Sequence, residues 1–149
     1  MIEMNWSNWE NIKILPVYEG KAVYRVRLAS NNGKCISIQR FLGEDKDGII
    51  MIGQTENMRT RLKQFNKVVI ENKRSPHSEG LTIHLLRKLK KFTEKYEPCT
   101  FQFTFSEVDD PKEEEKKLLE SYFKEYGEIP PLNYKREFIS PKRIMELYF

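Results

Sequence analysis

The sequence contains little of what defines several common classes of protein. Its two cysteines, Cys35 and Cys99, lie far apart and without neighbouring histidines, which argues against a disulfide framework and a zinc site. No apolar run approaches the length of a membrane span, and Met1–Trp9 lacks the basic and apolar regions of a signal peptide. Internal repeats and low-complexity segments are also absent. We therefore expect a soluble, cytoplasmic protein that makes no membrane contact.

The apolar content that is present suits one compact domain. Hydrophobic residues make up 39% of the 149 residues and aromatic residues 12%, which is enough to enclose a core of useful size. Charged residues make up 32%, so the surface is expected to be heavily solvated. The composition therefore predicts a single globular domain.

The net charge of +4 conceals a strong segregation of charge along the chain. Residues 58–95 carry eleven Lys and Arg against three acidic residues, whereas residues 97–128 carry four against ten. A dense basic segment is typical of a surface that binds a polyanion, although a solvated pair of helices has a similar composition. The basic residues that we predict to contact nucleic acid are Arg59, Lys63, Lys67, Lys73, Arg74, Arg87, Lys88 and Lys91.

We expect the stretch Gly48–Leu62 to be the part around which the remainder of the domain is organised. Four apolar residues, Ile49–Ile52, are followed by a glycine, by polar residues that include two candidate helix caps, Thr55 and Asn57, and by a run with helical spacing. This pattern predicts a buried strand, a tight turn and a helix. Arg59 and Arg61 then lie in the first helical turns, where we expect free backbone N–H groups to suit a phosphate.

Alternation and helical spacing predict the other elements. Apolar stretches that fit strands are Ala22–Leu28, Cys35–Leu42, Ile49–Ile52 and Phe101–Phe105, with a loop from Gly43 to Gly48. Predicted helices run from Asn57 to near Asn72, from Leu81 to Lys95, and from an Asp-Pro cap at Asp110 to Gly127. Because turn residues join the first strands, we expect them to pair antiparallel.

Five features in order resemble the GIY-YIG nuclease domain. The two motifs of that family correspond to Ala22–Tyr24 and Met51–Gly53, and Arg61 lies eight residues beyond the second motif, where the family keeps an arginine. Glu120 matches the family glutamate in a helix after the third strand, and Asn133 follows at a similar spacing. The resemblance depends on the ordered spacing of these features rather than on any one of them.

The resemblance covers residues 20–134 and implies an architecture. It implies a single α/β (α+β) domain in which a central antiparallel sheet of about three strands is flanked by helices. Residues 1–19 would form an N-terminal arm, and residues 135–149 a C-terminal extension with a short helix.

The resemblance also implies a function, that of a metal-dependent endonuclease that hydrolyses phosphodiester bonds in double-stranded DNA. Arg61 would stabilise the negative charge of the transition state, Glu120 would bind Mg²⁺ or Mn²⁺, and Tyr24 would orient or deprotonate the attacking water. Asn133 would hold the site together through hydrogen bonds, and either His77 or Tyr18 is a candidate to assist Tyr24.

The chain departs from the family pattern at Ala22, Met51 and Phe65. Ala22 stands where the first motif has a glycine, a change that a strand tolerates. Met51 stands where the second motif has a tyrosine, and Phe65 stands one helical turn beyond Arg61, where His or Tyr is common. Neither side chain moves a proton, so catalysis would rest on Tyr24. Two alternatives stay open: a nucleic-acid-binding domain that kept the fold without the chemistry, and a module that dimerises or binds a protein partner and has no nucleic-acid role.

Overall fold

The computed structural model describes residues 4–69, Ile83 and residues 85–133. The strands are β1 (Glu10–Asn11), β2 (Ala22–Ser30), β3 (Ile38–Arg40), β4 (Gly43–Asp45), β5 (Ile49–Thr55) and β6 (Cys99–Glu107). Helices with stated bounds are α1 (Met58–Val69), α2 (Lys90–Tyr96) and α3 (Pro111–Tyr126). None of the helices within these ranges has the length and apolar character needed to cross a membrane. The short helix predicted near the C-terminus lies outside the described residues.

The main sheet is antiparallel throughout, in the order β1-β6-β2-β5. β2 and β6 pair along their full nine residues and form its centre. The three long strands agree with the predicted sheet of about three strands, and the mixed α/β class is confirmed. The fourth strand, β1, comes from the N-terminal arm and is only two residues long, too short for an alternating pattern to reveal it.

A separate hairpin of β3 and β4 lies between β2 and β5 in the chain. We predicted a loop from Gly43 to Gly48, but β4 occupies its first part, and the chain turns instead at Phe41 and Leu42. The prediction was wrong because the inward-facing residue of β4 is a carboxylate. Asp45 is 1% exposed, so no apolar residue marks β4 as a strand.

One face of the main sheet packs against α1. Tyr24, Val26 and Leu28 share one side of β2 because successive strand residues point to opposite faces. These three side chains join Leu62 and Phe65 of α1 in the larger core cluster. The half-buried strand predicted at Ala22–Leu28 is therefore a central strand, with its tyrosine facing a helix.

The opposite face of the sheet packs against α3. Ile49 and Ile52 of β5 form the second core cluster with Leu119 and Tyr122 of α3. Ile52 is paired with Arg25 of β2, on the side of that strand that faces away from α1. The two long helices α1 and α3 therefore cover opposite faces of one sheet.

Helix α3 begins and ends where the sequence predicts. The Asp110 side chain accepts a hydrogen bond from the backbone N–H of Glu113 at 3.3 Å, and Pro111 occupies the first helical position. The helix ends at Gly127, whose φ of 73° is a left-handed conformation that glycine adopts without strain. Both caps were predicted from local sequence and are confirmed.

The continuous helix predicted over Leu81–Lys95 is wrong for its described part. Residues 87 and 88 form a turn, Leu89 has an extended backbone with φ −81° and ψ 128°, and α2 begins only at Lys90. Leu85 and Leu89 are 54% and 55% exposed. The regular spacing of leucines therefore did not mark a buried helical face here.

The N-terminal arm is held on the sheet by alternating guanidinium and indole groups. The Arg25 guanidinium carbon lies 3.9 Å from the centroid of the Trp6 ring and 5.3 Å from that of Trp9. The Arg27 guanidinium carbon lies 4.0 Å from the Trp9 centroid, and its Nε donates to Oε1 of Gln102 at 2.8 Å. Trp9 thus links two arginines of β2 to the arm.

We expect Trp9→Ala to lower the free energy of unfolding by about 2–3 kcal/mol, because it removes two cation–π contacts and the burial of an indole. The arm should also become accessible to protease in the native state. Chemical denaturation and limited proteolysis measure the two effects. Val17→Ala is the matched control, since Val17 is 90% exposed and should change neither. Equal stability of both variants would show that the contacts of Trp9 with Arg25 and Arg27 do not hold the arm on the sheet.

The two cysteines lie in different environments. Cys35 is exposed, whereas Cys99 in β6 is 5% exposed. Burial, and then the nearby Glu97, raises the pKa of the Cys99 thiol to about 11 from an ordinary value of 9.0. Because the folded-state pKa lies above the unfolded value, the buried thiol stabilises the fold below pH 9.0, and this contribution is lost as the pH rises towards 11.

At pH 8 we expect iodoacetamide to alkylate Cys35 and to leave Cys99 unmodified in the folded protein. With a pKa of about 11, roughly one Cys99 thiol in 1000 is ionised at that pH, and burial further limits access. Peptide mass analysis measures the labelling of each cysteine, and labelling in denaturant provides the fully reactive reference. Equal labelling rates in the folded protein would contradict the buried position of Cys99.

Candidate active site

Tyr24 and Arg61 come together between the sheet and α1. Nη1 of Arg61 donates a hydrogen bond to the Tyr24 hydroxyl oxygen at 3.4 Å. That distance exceeds the usual N–H···O range of about 2.7–3.2 Å, so the hydrogen bond is a weak one. The two residues are 37 positions apart in the chain, and their elements bring a phenol and a guanidinium into contact at the strand that carries the first motif.

Gly53 makes room for the ring of Tyr24. The two residues are direct partners across β2 and β5, so their side chains lie on the same face of the sheet. A Cβ atom at Gly53 would lie 2.4 Å from both Cζ and the hydroxyl oxygen of Tyr24. Any larger residue at this position would therefore displace the tyrosine from its place beside Arg61.

The surroundings of Tyr24 are apolar and closely packed. Tyr24 is 1% exposed, and Met51 and Phe65 are 0% and 1% exposed. The Phe65 ring meets the Tyr24 ring edge-on, with 6.1 Å between centroids. The residues at the two positions where the resembled family has ionisable side chains are thus parts of the core. Reactants reach the Tyr24 hydroxyl only if this packing opens.

The first N–H groups of α1 already have partners within the chain. The N–H of Met58 donates to the carbonyl of Gly20 at 3.1 Å, and that of Thr60 donates to Oδ1 of Asn57 at 3.0 Å. The backbone N–H of Arg59 also donates to a carbonyl of the preceding loop, at 3.2 Å. Asn57 therefore caps the helix as predicted. The expectation that this terminus offers free N–H groups to a phosphate is wrong, because the loop before β2 folds back onto it.

Arg59 connects α1 to the N-terminal arm. Its Nη1 donates to the carbonyl oxygen of Pro16 at 2.9 Å. This hydrogen bond fixes the guanidinium on the arm, on a helix whose next arginine contacts Tyr24. Arg59 therefore has a structural contact in addition to its predicted role in nucleic-acid binding.

The other predicted nucleic-acid contacts differ in their surroundings. Lys63 and Lys67 are exposed on α1, and Lys88 and Lys91 are exposed near the start of α2. Nε of Arg87 lies 3.2 Å from a carboxylate oxygen of Glu97, and its guanidinium lies over the ring of Phe101. Lys73 and Arg74, together with the predicted catalytic residue His77, lie outside the described residues.

Asn133 holds the outer edge of β5. Its Oδ1 accepts from the N–H of Ile52 at 2.9 Å, and its Nδ2 donates to the carbonyl of the same residue at 2.8 Å. The N–H of Leu132 donates to the carbonyl of Ile50 at 2.9 Å. These bonds satisfy backbone groups that an edge strand would otherwise expose. They fix the backbone directly before Gly53, opposite Tyr24.

Glu120 lies on the helix that packs against the other face of the sheet. It is half-buried in α3 and directly follows Leu119, which packs with Ile49 and Ile52. Arg61 lies on α1, which covers the opposite face. The structure therefore brings Tyr24, Arg61 and the Asn133 contact to neighbouring positions around β5, and it places Glu120 on a helix that packs against the same strand from behind.

A metal ion at this site would have a single protein carboxylate, that of Glu120, among its ligands. In the described part of the chain, no group of three His, Cys, Asp or Glu side chains is arranged to hold a metal ion. A metal at this site would rest on Glu120, with water and substrate oxygens completing its shell. Mg²⁺ accepts such a shell, because it retains several waters and commonly uses one or two carboxylates with substrate phosphates.

Sequence reasoning missed a buried polar cluster around Asp45. The Tyr122 hydroxyl donates to Oδ2 of Asp45 at 2.8 Å. Burial and this hydrogen bond raise the pKa of Tyr122 well above its ordinary value, so the phenol remains a donor. The turn residues after Asp45 were recognisable as a site where Asp bonds to following N–H groups, but nothing local indicated the tyrosine.

No protein-family model, curated protein or solved structure matches this chain. The assignment of the candidate site therefore rests on the order of the sequence motifs and on the contacts described above.

Proposed function

We propose that this domain is a metal-dependent endonuclease of the GIY-YIG type that hydrolyses phosphodiester bonds in DNA. The observation that supports it most is the contact between the Arg61 guanidinium and the Tyr24 hydroxyl. A buried tyrosine hydroxyl needs a hydrogen-bond partner, and here that partner is a cation that could also bind a phosphate. The two residues also come from the two positions at which the family resemblance requires a phenol and an arginine.

In the proposed reaction Arg61 acts in two ways. Its hydrogen bond holds the Tyr24 hydroxyl in position, so that Tyr24 would orient or deprotonate the attacking water. The same cation stabilises the additional negative charge that develops on the phosphate oxygens in the transition state. The apolar packing of Met51 and Phe65 around the pair strengthens the interaction of Arg61 with the developing charge, since charges interact more strongly where water is excluded.

Glu120 and Asn133 have supporting roles in this proposal. Glu120 lies on the helix across the sheet from Arg61, and the proposal assigns it the metal, which when bound would polarise the phosphate and stabilise the leaving oxygen. Asn133 would keep β5, and with it the backbone under Tyr24, in position through its two hydrogen bonds to Ile52.

The exposed lysines supply the means of holding DNA. Lys63 and Lys67 of α1 and Lys88 and Lys91 near α2 would contact phosphates, which fix the position of a protein on the duplex without reading its sequence. Binding should therefore weaken steeply as the salt concentration rises, because each phosphate contact releases counterions.

The proposal is tested by incubating the purified protein with supercoiled plasmid in Mg²⁺, in Mn²⁺ and in EDTA. Nicked or linear DNA should form only with metal. Glu120→Gln is the control variant, and it should bind DNA as the wild type does while cleaving far more slowly. Cleavage in EDTA, or no cleavage with either metal, would contradict the proposal.

A nucleic-acid-binding domain without catalysis is the second candidate. The near-complete enclosure of Tyr24, at 1% exposure, favours it, because an enclosed hydroxyl does not contact water. This candidate requires an electrophoretic shift of DNA at low salt without cleavage in any metal.

A further inference from the structure

A cavity opens beside the N-terminal arm, at the end of β6. Its volume of about 400 Å³ lies within the range of pockets that hold small molecules. The residues that line it come from the arm and from β6, and they are Asn5, Trp6, Ser7, Phe105 and Glu107. We assign none of them to the cleavage of DNA or to the holding of DNA. The cavity is therefore a candidate for a separate binding site.

Hydrogen bonds fix the arm side of the cavity to the strand side. The N–H of Ser7 donates to the carbonyl oxygen of Phe105 at 2.8 Å, and the N–H of Phe105 donates to the Ser7 hydroxyl oxygen at 3.0 Å. The ring of Phe105 also stacks parallel to that of Tyr18, with 5.8 Å between the centroids. The cavity is thus preformed, so a ligand would not have to order the arm in order to bind.

Trp6 is the last ring of a series in which arginines and tryptophans alternate. The Arg27 guanidinium lies over the ring of Trp9, and that of Arg25 lies near the rings of both Trp9 and Trp6. The series ends at Trp6, which lines the cavity. Indole rings attract planar cations, and the contact with Arg25 shows that the Trp6 ring does so. A guanidinium bound in the cavity would therefore extend an arrangement that the arm already uses.

Glu107 supplies the cavity with a carboxylate. It is the exposed last residue of β6, and within the described residues its side chain forms no ion pair. Asp109 follows two residues later and is also exposed. Carboxylates repel phosphate groups and attract cations, so this end of β6 suits a cationic ligand better than DNA.

The charges that act on the nearby Tyr18 hydroxyl are negative. Burial, and then the charges of Glu107 and Asp109, raises the pKa of the Tyr18 phenol above its ordinary value of 10.0. Lys21 lies beside this group, since its carbonyl oxygen accepts from the Tyr18 hydroxyl at 2.8 Å, and Lys112 follows Asp109 by three residues. In the part of the chain that the structure describes, neither lysine forms an ion pair with Glu107 or Asp109. The carboxylates therefore remain open to an external cation.

An aromatic ring and a carboxylate at one cavity favour a guanidinium over an ammonium ion. A guanidinium is planar, so it donates two parallel hydrogen bonds to one carboxylate and also stacks on an indole. An ammonium ion is a compact charge that holds its water more strongly and has no face to stack. The lining of this cavity thus suits a planar cation.

We propose that the cavity binds a guanidinium group, carried by free arginine or by an arginine side chain of another protein. The plane of the guanidinium lies on the Trp6 ring, and its fork binds the two carboxylate oxygens of Glu107. The amide oxygen of Asn5 is a further acceptor at the same cavity. None of these groups takes part in the proposed cleavage, so arginine binding and DNA cleavage can fail independently.

Isothermal titration calorimetry of the full chain, freed of nucleic acid, tests the choice of ligand. L-Arginine should bind, whereas L-citrulline has its shape without the charge and L-lysine has a charge without the planar fork. Each of these two should bind at least about 10-fold more weakly than arginine. No binding of arginine, or equal binding of citrulline or lysine, would overturn the proposal. Tighter binding of guanosine than of arginine would overturn it as well, since the cavity would then be a nucleobase site.

Matched variants test the role of the carboxylate. Glu107→Gln should weaken arginine binding by about 10-fold or more, because an amide replaces the charged acceptor. Glu125→Gln makes the same change at an exposed position of α3 outside the cavity and should have no effect. Equal arginine affinities of the two variants would count against Glu107 as the partner of the guanidinium.

Nuclear magnetic resonance locates the ligand without any substitution. Titration of the wild type with L-arginine should shift the indole N–H signal of Trp6 and the side-chain amide signals of Asn5. Shifts confined to residues outside the cavity would contradict the proposal.

A blocked tripeptide, with arginine between two glycines, distinguishes the two sources of the guanidinium. It lacks the free amino and carboxylate groups of the amino acid. Binding as tight as that of L-arginine supports a side chain of another protein as the source, and much weaker binding supports free arginine. Both results retain the guanidinium as the group that the cavity binds.

Discussion

Arg61→Ala is expected to slow DNA cleavage by about 1000-fold or more, the effect of removing a cation that stabilises transition-state charge in phosphoryl transfer. The loss should be this large because Arg61 contacts the hydroxyl of Tyr24 and, in our proposal, also the phosphate. Single-turnover cleavage with protein in excess measures the chemical step without interference from product release.

Two further variants separate the roles of charge and geometry at this position. Arg61→Lys keeps the positive charge but loses the planar fork of the guanidinium, so its rate should fall between those of the wild type and Arg61→Ala. Lys63→Ala removes an exposed cation from the same helix and should change only DNA affinity and its salt dependence. Arg61→Ala cleavage at the wild-type rate would exclude Arg61 from the chemistry.

Asp45→Ala is expected to lower the free energy of unfolding by about 3–5 kcal/mol, because it leaves several buried donors without an acceptor. Oδ1 of Asp45 accepts from the N–H groups of Asp47 and Gly48 at 3.0 and 3.1 Å. Oδ2 accepts from the N–H of Ile49 at 3.0 Å and from the Tyr122 hydroxyl at 2.8 Å. Chemical denaturation measures the effect, which amounts to a large share of the stability of a typical domain.

Matched variants distinguish the cluster from a general effect of removing acidic residues. Asp47→Ala changes an exposed neighbour in the same turn and should alter stability by less than about 0.5 kcal/mol. Tyr122→Phe removes one donor and keeps the ring, so it should cost about 1 kcal/mol. If Asp45→Ala were as stable as Asp47→Ala, the buried carboxylate would not be what positions β4 and the start of β5.

The parts of the fold that sequence predicted are those specified by neighbouring residues. The cap at Asp110, the exit of α3 at Gly127 and the cap at Asn57 each depend on a few adjacent side chains. Alternation likewise marked β2 and β6, because each presents apolar residues to one face. Helix α1 showed the spacing of Leu62 and Phe65 that a buried face requires.

The features that sequence did not predict depend on contacts between distant residues. The carbonyl of Gly20 occupies the N–H of Met58, and no local pattern reveals that contact. The leucine spacing at Leu85 and Leu89 indicated burial that does not occur, because the backbone breaks between helices.

The candidate site shows the same division. The order of the motifs predicted that Tyr24 and Arg61 belong to one site. They meet because the face of β2 that carries Tyr24 packs against α1, which carries Arg61. The face of the sheet on which Glu120 lies was not predictable, because a helix after the last strand can pack on either side. An isolated Tyr24 among alternating apolar residues would be assigned to the core, and the structure agrees that its ring is buried.

The single-turnover cleavage rate of Tyr24→Phe tests the central claim most directly. This variant keeps the ring that packs on Gly53 and Phe65 and removes only the hydroxyl that contacts Arg61. Our account predicts a rate lower by about 100- to 10,000-fold, the usual contribution of a general base, with DNA affinity essentially unchanged and the free energy of unfolding lowered by no more than about 1 kcal/mol, as for Tyr122→Phe. Cleavage by Tyr24→Phe at the wild-type rate would contradict it.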